Sequence, residues 1–396
     1  MRRAVGISLL LSGLCLLGCL AGCFDSGRRD ADPPATGKGA DFAAQTVVPS
    51  DGEWPLYRGN ALQTGVATSQ LPGTLEVLWK FETKDSIEGT AAIAGGTVYV
   101  GSMDKYLYAL NLADGKEKWK YEAAPIKAPA SYHDGSVYVG DTDGVFHRVN
   151  ARGEKVWADK TGGEISSGAN FDGEGVLFGA GDENLYRLSQ KDGKELWTFK
   201  VEGGPVMGTP AVVGGRTFAA GCDSTLHVID LKTGKEEGKG VELSGQVGSA
   251  AAVGGDRLFV GTMSDQVQAV DWKSGEVVWT YEAEKRAQPF YASVALTDKL
   301  VLAGSRDNRL HALDRDKGTE VWSYLTGGKV DSSPVVSGGR VYFGSIDGNL
   351  YVLDLKGALV QKIDLGSAVL GSPAVGGGRL VIGTDKGVVY CLGAKN

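Results

Sequence analysis

Short stretches that alternate apolar and polar residues recur along this chain. Residues 106–111 read YLYALN, 309–314 read RLHALD and 349–354 read NLYVLD. A period of two puts alternate side chains on opposite faces of an extended strand. Each stretch follows a shorter apolar run that ends in glycine, such as TVYVG at 97–101 or RVYFG at 340–344. Before that comes a run of small residues, TAAIA at 90–94 or SPVVS at 333–337, joined to the next by a Gly-Gly pair. After the alternating stretch comes a tight turn such as DGK at 114–116, then a tryptophan-bearing run such as EKWKYE at 117–122. Turn residues between short strand-type runs predict four antiparallel strands per unit.

The units form an array. A Gly-x-x-Asp segment marks them at Gly101, Gly140, Gly179, Gly304 and Gly344. Ala220 takes the glycine place before Asp223, Gly261 is followed by Ser264, and Gly383 by Asp385. That makes eight markers, 39 to 43 residues apart. A lone four-stranded sheet leaves too much apolar surface in water, whereas sheets stacked face to face around an axis bury both faces. The expected fold is all-β: an eight-bladed β-propeller of four-stranded antiparallel blades. The eighth unit stops at Leu392-Gly393 with three strands. A tryptophan strand without its three predecessors stands at 75–81, LEVLWKF. This N-terminal strand should complete the last blade and close the ring, covering an open edge.

Trp79, Trp119, Trp157, Trp197, Trp279 and Trp322 sit at one phase of the outer strand and read as wedges between blades. Blade 4 has Glu236-Glu237-Gly238 there and blade 7 has Val360-Gln361, so both should have looser outer edges. The repeated aspartates Asp104, Asp143, Asp182, Asp223, Asp307 and Asp347 read as turn carboxylates accepting backbone N–H bonds. His147, His227 and His311 stand where other blades have Tyr, and read as packed strand residues.

The first residues change the compartment. MRRAVGISLLLSGLCLLGCLAGC has a positive start, an apolar run too short for a bilayer span, and Leu20-Ala21-Gly22-Cys23. This resembles a bacterial lipobox with Cys23 as the lipidated residue. Residues 1–22 are then a lipoprotein signal peptide, and 23–52 the acylated cysteine with a flexible, Asp/Gly/Pro-rich tether. Residues 53–74, with Trp54, Tyr57 and Arg58, are a cap segment, and 75–392 the propeller. Phe24 after the cysteine resembles an outer-membrane sorting signal, facing the periplasm, with the inner membrane or cell surface as alternatives. Removing Arg2 and Arg3 takes the formal charge from −7 to −9. That disfavours nonspecific nucleic-acid binding. Only Cys222 and Cys391 lie in the folded part, on opposite sides of the ring, so they should not pair.

With Gly-rich turns in a chain of 60 glycines and a tryptophan in its outer strands, the repeat resembles the PQQ-like propeller repeat family over about 53–392. The segment from Trp54-Pro55 to Gly59 and Gly65 is similar to the opening of that family. Eight compact blades behind a lipobox further resemble the lipoprotein scaffolds of the outer-membrane β-barrel assembly machine. The resemblance implies a non-enzymatic, lipid-anchored scaffold that binds periplasmic domains of the barrel-assembly partner. Alternatives are an envelope sensory or ligand-binding propeller, or a PQQ-dependent oxidoreductase. The quinoprotein dehydrogenases resemble one another in an adjacent Cys-Cys pair, which this sequence lacks. No nucleophile elbow, phosphate loop or HExxH motif appears. Neither a cofactor nor a metal is expected.

Positions just before each inner strand should line one mouth of the central channel: Glu88, Lys127, Ser166, Met207, Gly248, Phe290, Asp331 and Leu370. They differ between blades while scaffold positions repeat, so they are free to form a site. Phe290 and Tyr291 end the most individual connection, EAEKRAQPFY, which contains Arg286. Lys127, Arg286, Phe290, Tyr291 and Asp331 are the candidate partner- or ligand-binding residues.

Overall fold

A computed structural model describes residues 52–283 and 287–395. Cys23 and Arg286 lie outside the described residues. Eight four-stranded antiparallel sheets follow one another, seven of them with their strands in sequence order from axis to rim. Blade 7 shows the plan: Val335–Ser337, Arg340–Gly344, Asn349–Asp354 and Leu359–Asp364. Blade 8 takes three strands from the C-terminal end, and its outer strand is Glu76–Glu82. That strand runs antiparallel to Val388–Gly393, from Glu76↔Gly393 to Glu82↔Val388. The ring is closed as its alternating pattern predicts. Among the described residues, no helix is long and apolar enough to cross a membrane.

The tryptophans couple each blade to the next. Trp79 Nε1 donates to the Leu112 carbonyl at 2.9 Å, Trp119 to Ala151 at 2.9 Å and Trp157 to Gln190 at 2.9 Å. Trp197 reaches Leu231 at 2.8 Å, Trp279 reaches Arg315 at 3.0 Å and Trp322 reaches Leu355 at 3.0 Å. Each ring lies flat against a positive-φ glycine in the neighbour's last turn: Gly115, Gly153, Gly193, Gly234, Gly318 and Gly357. A buried indole is thus apolar wedge and satisfied donor at once. The residue before each tryptophan forms a β-bulge, as between Ala109 and Leu110 in blade 1. Bulges on these outer strands bend an edge that would otherwise invite pairing.

The two blades without the tryptophan differ. In blade 4 the outer strand shrinks to Val241–Glu242. Trp272, from the turn of blade 5, packs on Phe218 at 5.6 Å and joins Val241 in the same core, filling the gap from the other side. Blade 7 corrects the expectation of a loose edge: its outer strand Leu359–Asp364 is full length. Its neighbour is the closing blade, which presents no turn glycine there but the start of the closing strand. Gln361 meets it with both ends of its amide. Oε1 accepts from Leu75 N at 3.0 Å, and Nε2 donates to Leu75 O at 2.8 Å. Gln361→Ala should cost about 1–2 kcal/mol, for two hydrogen bonds at a half-buried seam, measured by denaturant unfolding.

A second contact recurs at five of the eight seams. An outer-strand aromatic packs on the third-strand Tyr or His of the next blade: Phe81 on Tyr108, Tyr121 on His147, Phe199 on His227, Tyr281 on His311, Tyr324 on Tyr351. That Tyr or His bonds a turn carboxylate, as Tyr108 to Asp104 at 2.7 Å and Tyr186 to Asp182 at 2.6 Å. In blade 2 the carboxylate is Asp141 rather than Asp143: it takes the Val145 N–H at 2.8 Å and His147 Nε2 at 2.9 Å. His311 lies between Asp307 (3.1 Å) and Glu320 (2.9 Å). Burial pushes the Asp307 carboxyl up, but the bonds from His311, Ser305 and the Arg309 N–H prevail and hold it below its ordinary value. A carboxyl depressed in the folded state stabilises above its unfolded value, near 4, and that contribution disappears as pH falls through its folded pKa. Asp307→Asn should therefore cost about 1–3 kcal/mol at pH 7. The deficit should narrow below about pH 4, read from unfolding curves at both pH values. A deficit that widens on acidification contradicts the assignment.

Cys222 and Cys391 are both free thiols, and burial pushes Cys391 up to about 11.

Candidate functional site

The inner strands converge on the axis, so the residue entering each one faces a common space. A cavity of about 350 Å³ opens there. Seven of its lining residues are the predicted ones, Glu88, Lys127, Ser166, Met207, Gly248, Asp331 and Leu370, from seven different blades. Blade 6 departs by one residue. Phe290 is 1% exposed and packs edge-on to His311 at 5.4 Å, so it is core and offers no contact surface. Its neighbour Tyr291 lines the mouth instead.

Apart from Glu88, the charges here are organised as pairs. Lys127 Nζ meets Glu164 at 2.8 Å across blades 2 and 3. Arg306 holds Asp331 with two parallel bonds, Nε–Oδ1 at 2.9 Å and Nη2–Oδ2 at 3.1 Å. Its guanidinium stacks on Tyr291, 3.7 Å from the ring centroid. A fork bound bidentately on one side and stacked on the other is fixed before any partner arrives. Beside it, Met207 and Met263 Cε and the Tyr291 ring surround Gly248, so that a Cβ there would meet Met263 at 2.6 Å. Methionine next to a stacked Tyr–Arg pair gives an adaptable apolar patch around a rigid anchor.

Arg306 escaped the sequence reading. It precedes the marker aspartate in GSRD, where the other blades vary among Met103, Thr142, Gly181, Cys222, Met263, Ile346 and Asp385. All of these except Cys222 bond the loop entering their own blade, as Arg306 N does to Pro289 O at 3.1 Å and Met263 N to Gln246 O at 2.8 Å. They form a second variable ring around the mouth, and their variability was the available signal.

The floor is a ring of hydroxyls that tie blade to blade. Gly168 N donates to Thr209 Oγ1 at 2.9 Å, Ala250 N to Ser293 at 3.0 Å, Ser293 N to Ser333 at 3.0 Å and Ser333 N to Ser372 at 2.9 Å. Below it the channel is plugged by the segment after Gly52, which meets every blade in ring order. Gly377 N bonds Gly52 O, and Trp54 pairs with Ile93 in both directions. Tyr132 N bonds Pro55 O, and Asn170 Nδ2 and Val212 N both bond Ala61 O. Val253 N bonds Leu62 O, Leu296 N bonds Thr64 O and Val336 N bonds Gly65 O. Tyr57 reaches up from this plug, its hydroxyl 3.1 Å from both Ser293 and Ser333. The cavity is therefore blind. Among the described residues, no three or more His, Cys, Asp or Glu side chains converge as a metal-binding group.

Eight compact blades, a closing N-terminal strand and a plugged channel define a PQQ-type propeller. The chain belongs to the family described as outer membrane protein assembly factor BamB, whose sequence model matches residues 66–165, 142–237 and 235–368. Similarity to individual members is low. The BamB of Nitrosomonas eutropha is 23% identical over 215 residues, which are 50% of this chain and 43% of that protein. The match thus spans less than half of the curated relative. The crystal structure of BamB from Moraxella catarrhalis superposes with a TM-score of 0.69 at 20% identity, covering 82% of this chain and 98% of that one. A europium-containing methanol dehydrogenase superposes with a TM-score of 0.73 at 14% identity, covering 87% of this chain and 98% of that one. At such identities these superpositions show the fold alone.

Proposed function

We propose that this chain is a non-enzymatic scaffold of outer-membrane protein assembly, held at the membrane by acylated Cys23 and docking the periplasmic part of a β-barrel assembly protein. The observation that carries this is the combination of family membership with a mouth where each blade contributes a different residue. Lys127, Tyr291 and Asp331 contribute to the docking face, with Met207, Met263 and Arg306 beside them. Arg306 stacked on Tyr291 is its anchor, because a preorganised aromatic–Arg pair loses little entropy on binding. Residues 23–52 are the tether that lets the ring reach its partner.

Affinity capture of the full-length protein from its native membrane, with mass spectrometry of the co-purifying proteins, tests this. Recovery of an outer-membrane β-barrel protein with periplasmic domains is expected. Failure to recover one, under conditions that preserve a known membrane complex, overturns the reading. Quinone absorbance in the purified protein, with calcium-dependent dye reduction, would replace it with an oxidoreductase.

A further inference from the structure

One buried charge beneath the mouth has no acid partner among the described residues. Arg58 follows Tyr57 and lies one residue deeper. Its Nη2 donates to the carbonyls of Val294, at 3.1 Å, and Pro334, the residues directly after Ser293 and Ser333. Its Cζ is 6.0 Å from the Tyr57 ring centroid. The side chain is 1% exposed, and Nε and Nη1 have no hydrogen-bond partner. No carboxylate pairs with it among the described residues; burial draws its pKa down to about 10, with Tyr57 the only opposing influence. Charged side chains out of water are ordinarily paired.

The cavity above has a matching character. Ser249, on its wall, is buried with an Oγ that lacks any partner. Lys127 and Arg306 are neutralised by Glu164 and Asp331. Glu88 stands at the rim, 3.3 Å from the Ser86 hydroxyl. Arg58, beneath the Tyr57 floor and outside the lining, is thus a buried cation near the pocket with no acid partner among the described residues, while Met207, Leu370 and Pro129 give the wall apolar surface.

We propose that the central pocket is a receptor for a carboxylate carried on a small apolar group, with the carboxylate seated at the Tyr57 floor above Arg58. This rests on the mouth being the docking face, and it names the chemistry recognised there. Two sources present that chemistry: a free carboxylic acid, or the C-terminus of a docked chain. A pocket of about 350 Å³ holds one residue-sized group of either kind.

Calorimetry on the purified protein with four probes tests it: N-acetyl-leucine, N-acetyl-leucinamide, and Ac-Ala-Ala-Ala-Leu with a free or an amidated C-terminus. The acids should bind, and each amide should bind at least about tenfold more weakly. Met207→Trp, which fills the mouth from a half-exposed position, should abolish acid binding while leaving the unfolding midpoint in place. Arg58→Met should bind acid and amide alike. If that variant fails to fold, the acid–amide comparison on the unaltered protein still decides. A tetrapeptide acid tighter than N-acetyl-leucine identifies a chain terminus as the source, and the reverse identifies a free acid. No acid binding up to about 10 mM, equal binding of acid and amide, or unchanged affinity in Met207→Trp overturns the proposal. Capture of an assembly partner by a protein that binds neither acid would sink this inference alone. Acid binding without such a partner would sink only the scaffold reading.

Discussion

Trp54→Ala should lower the stability of the ring by about 3–5 kcal/mol, the cost of emptying a fully buried aromatic site. Trp54 is 1% exposed and shares a core with Ile93, Val375 and Trp79 from blades 1 and 8. Its six-membered ring lies so close over Gly59 that a Cβ there would be 2.6 Å away. It sits beside Gly52 and Pro55 at the start of a segment bonded to all eight blades, so a cavity here loosens the closure of the ring. Trp54→Phe should cost much less. The indole N–H has no partner, and removing an unsatisfied buried donor offsets part of the lost area. Denaturant midpoints for the two variants check this. A loss below about 1 kcal/mol for Trp54→Ala would mean that the plug is peripheral to folding.

Gly318→Ala and Gly275→Ala should differ by about 1–3 kcal/mol, although the two glycines hold the same place in successive blades. Both have the left-handed backbone that disfavours a Cβ, φ +70° at Gly318 and +75° at Gly275, and each replacement costs about 1 kcal/mol on that ground. The remainder separates them. At Gly318 the added methyl would lie 2.5 Å from the Trp279 ring, so the wedge must move and strain its bond to Arg315 O. At Gly275 the nearest side-chain atom is Val241 Cγ2, 3.8 Å away, because blade 4 supplies no tryptophan. Equal losses would show that the wedge carries no energy.

The legibility of this chain comes from its repetition. Strand order, ring closure and the tryptophan wedges were readable because the same local demand is written in each blade, and eight copies average out the noise of any one. What repetition does not encode was harder. Trp272 falls outside the repeated tryptophan phase, since its reason lies in a gap in blade 4. Gln361 looked like a lost wedge, yet it is the residue suited to a seam that ends in a free backbone edge. At the mouth, seven positions could be placed because they directly precede the inner strands. The eighth failed because the longer connection into blade 6 shifts the phase by one, burying Phe290 and presenting Tyr291. Arg58 could be seen as unusual in a cap segment, but no spacing in the sequence says that it lies buried against blades 6 and 7 with no carboxylate partner among the described residues.

Site-specific photo-crosslinking in the native envelope tests the central claim most directly, with the reactive group placed in turn at Met207, at Tyr291 and at Val321 on the outer rim. Crosslinks from Met207 and Tyr291 to the periplasmic domains of a β-barrel assembly protein, with none from Val321, are the predicted result. Crosslinks from Val321 alone, or from none of the three, would contradict docking through the mouth.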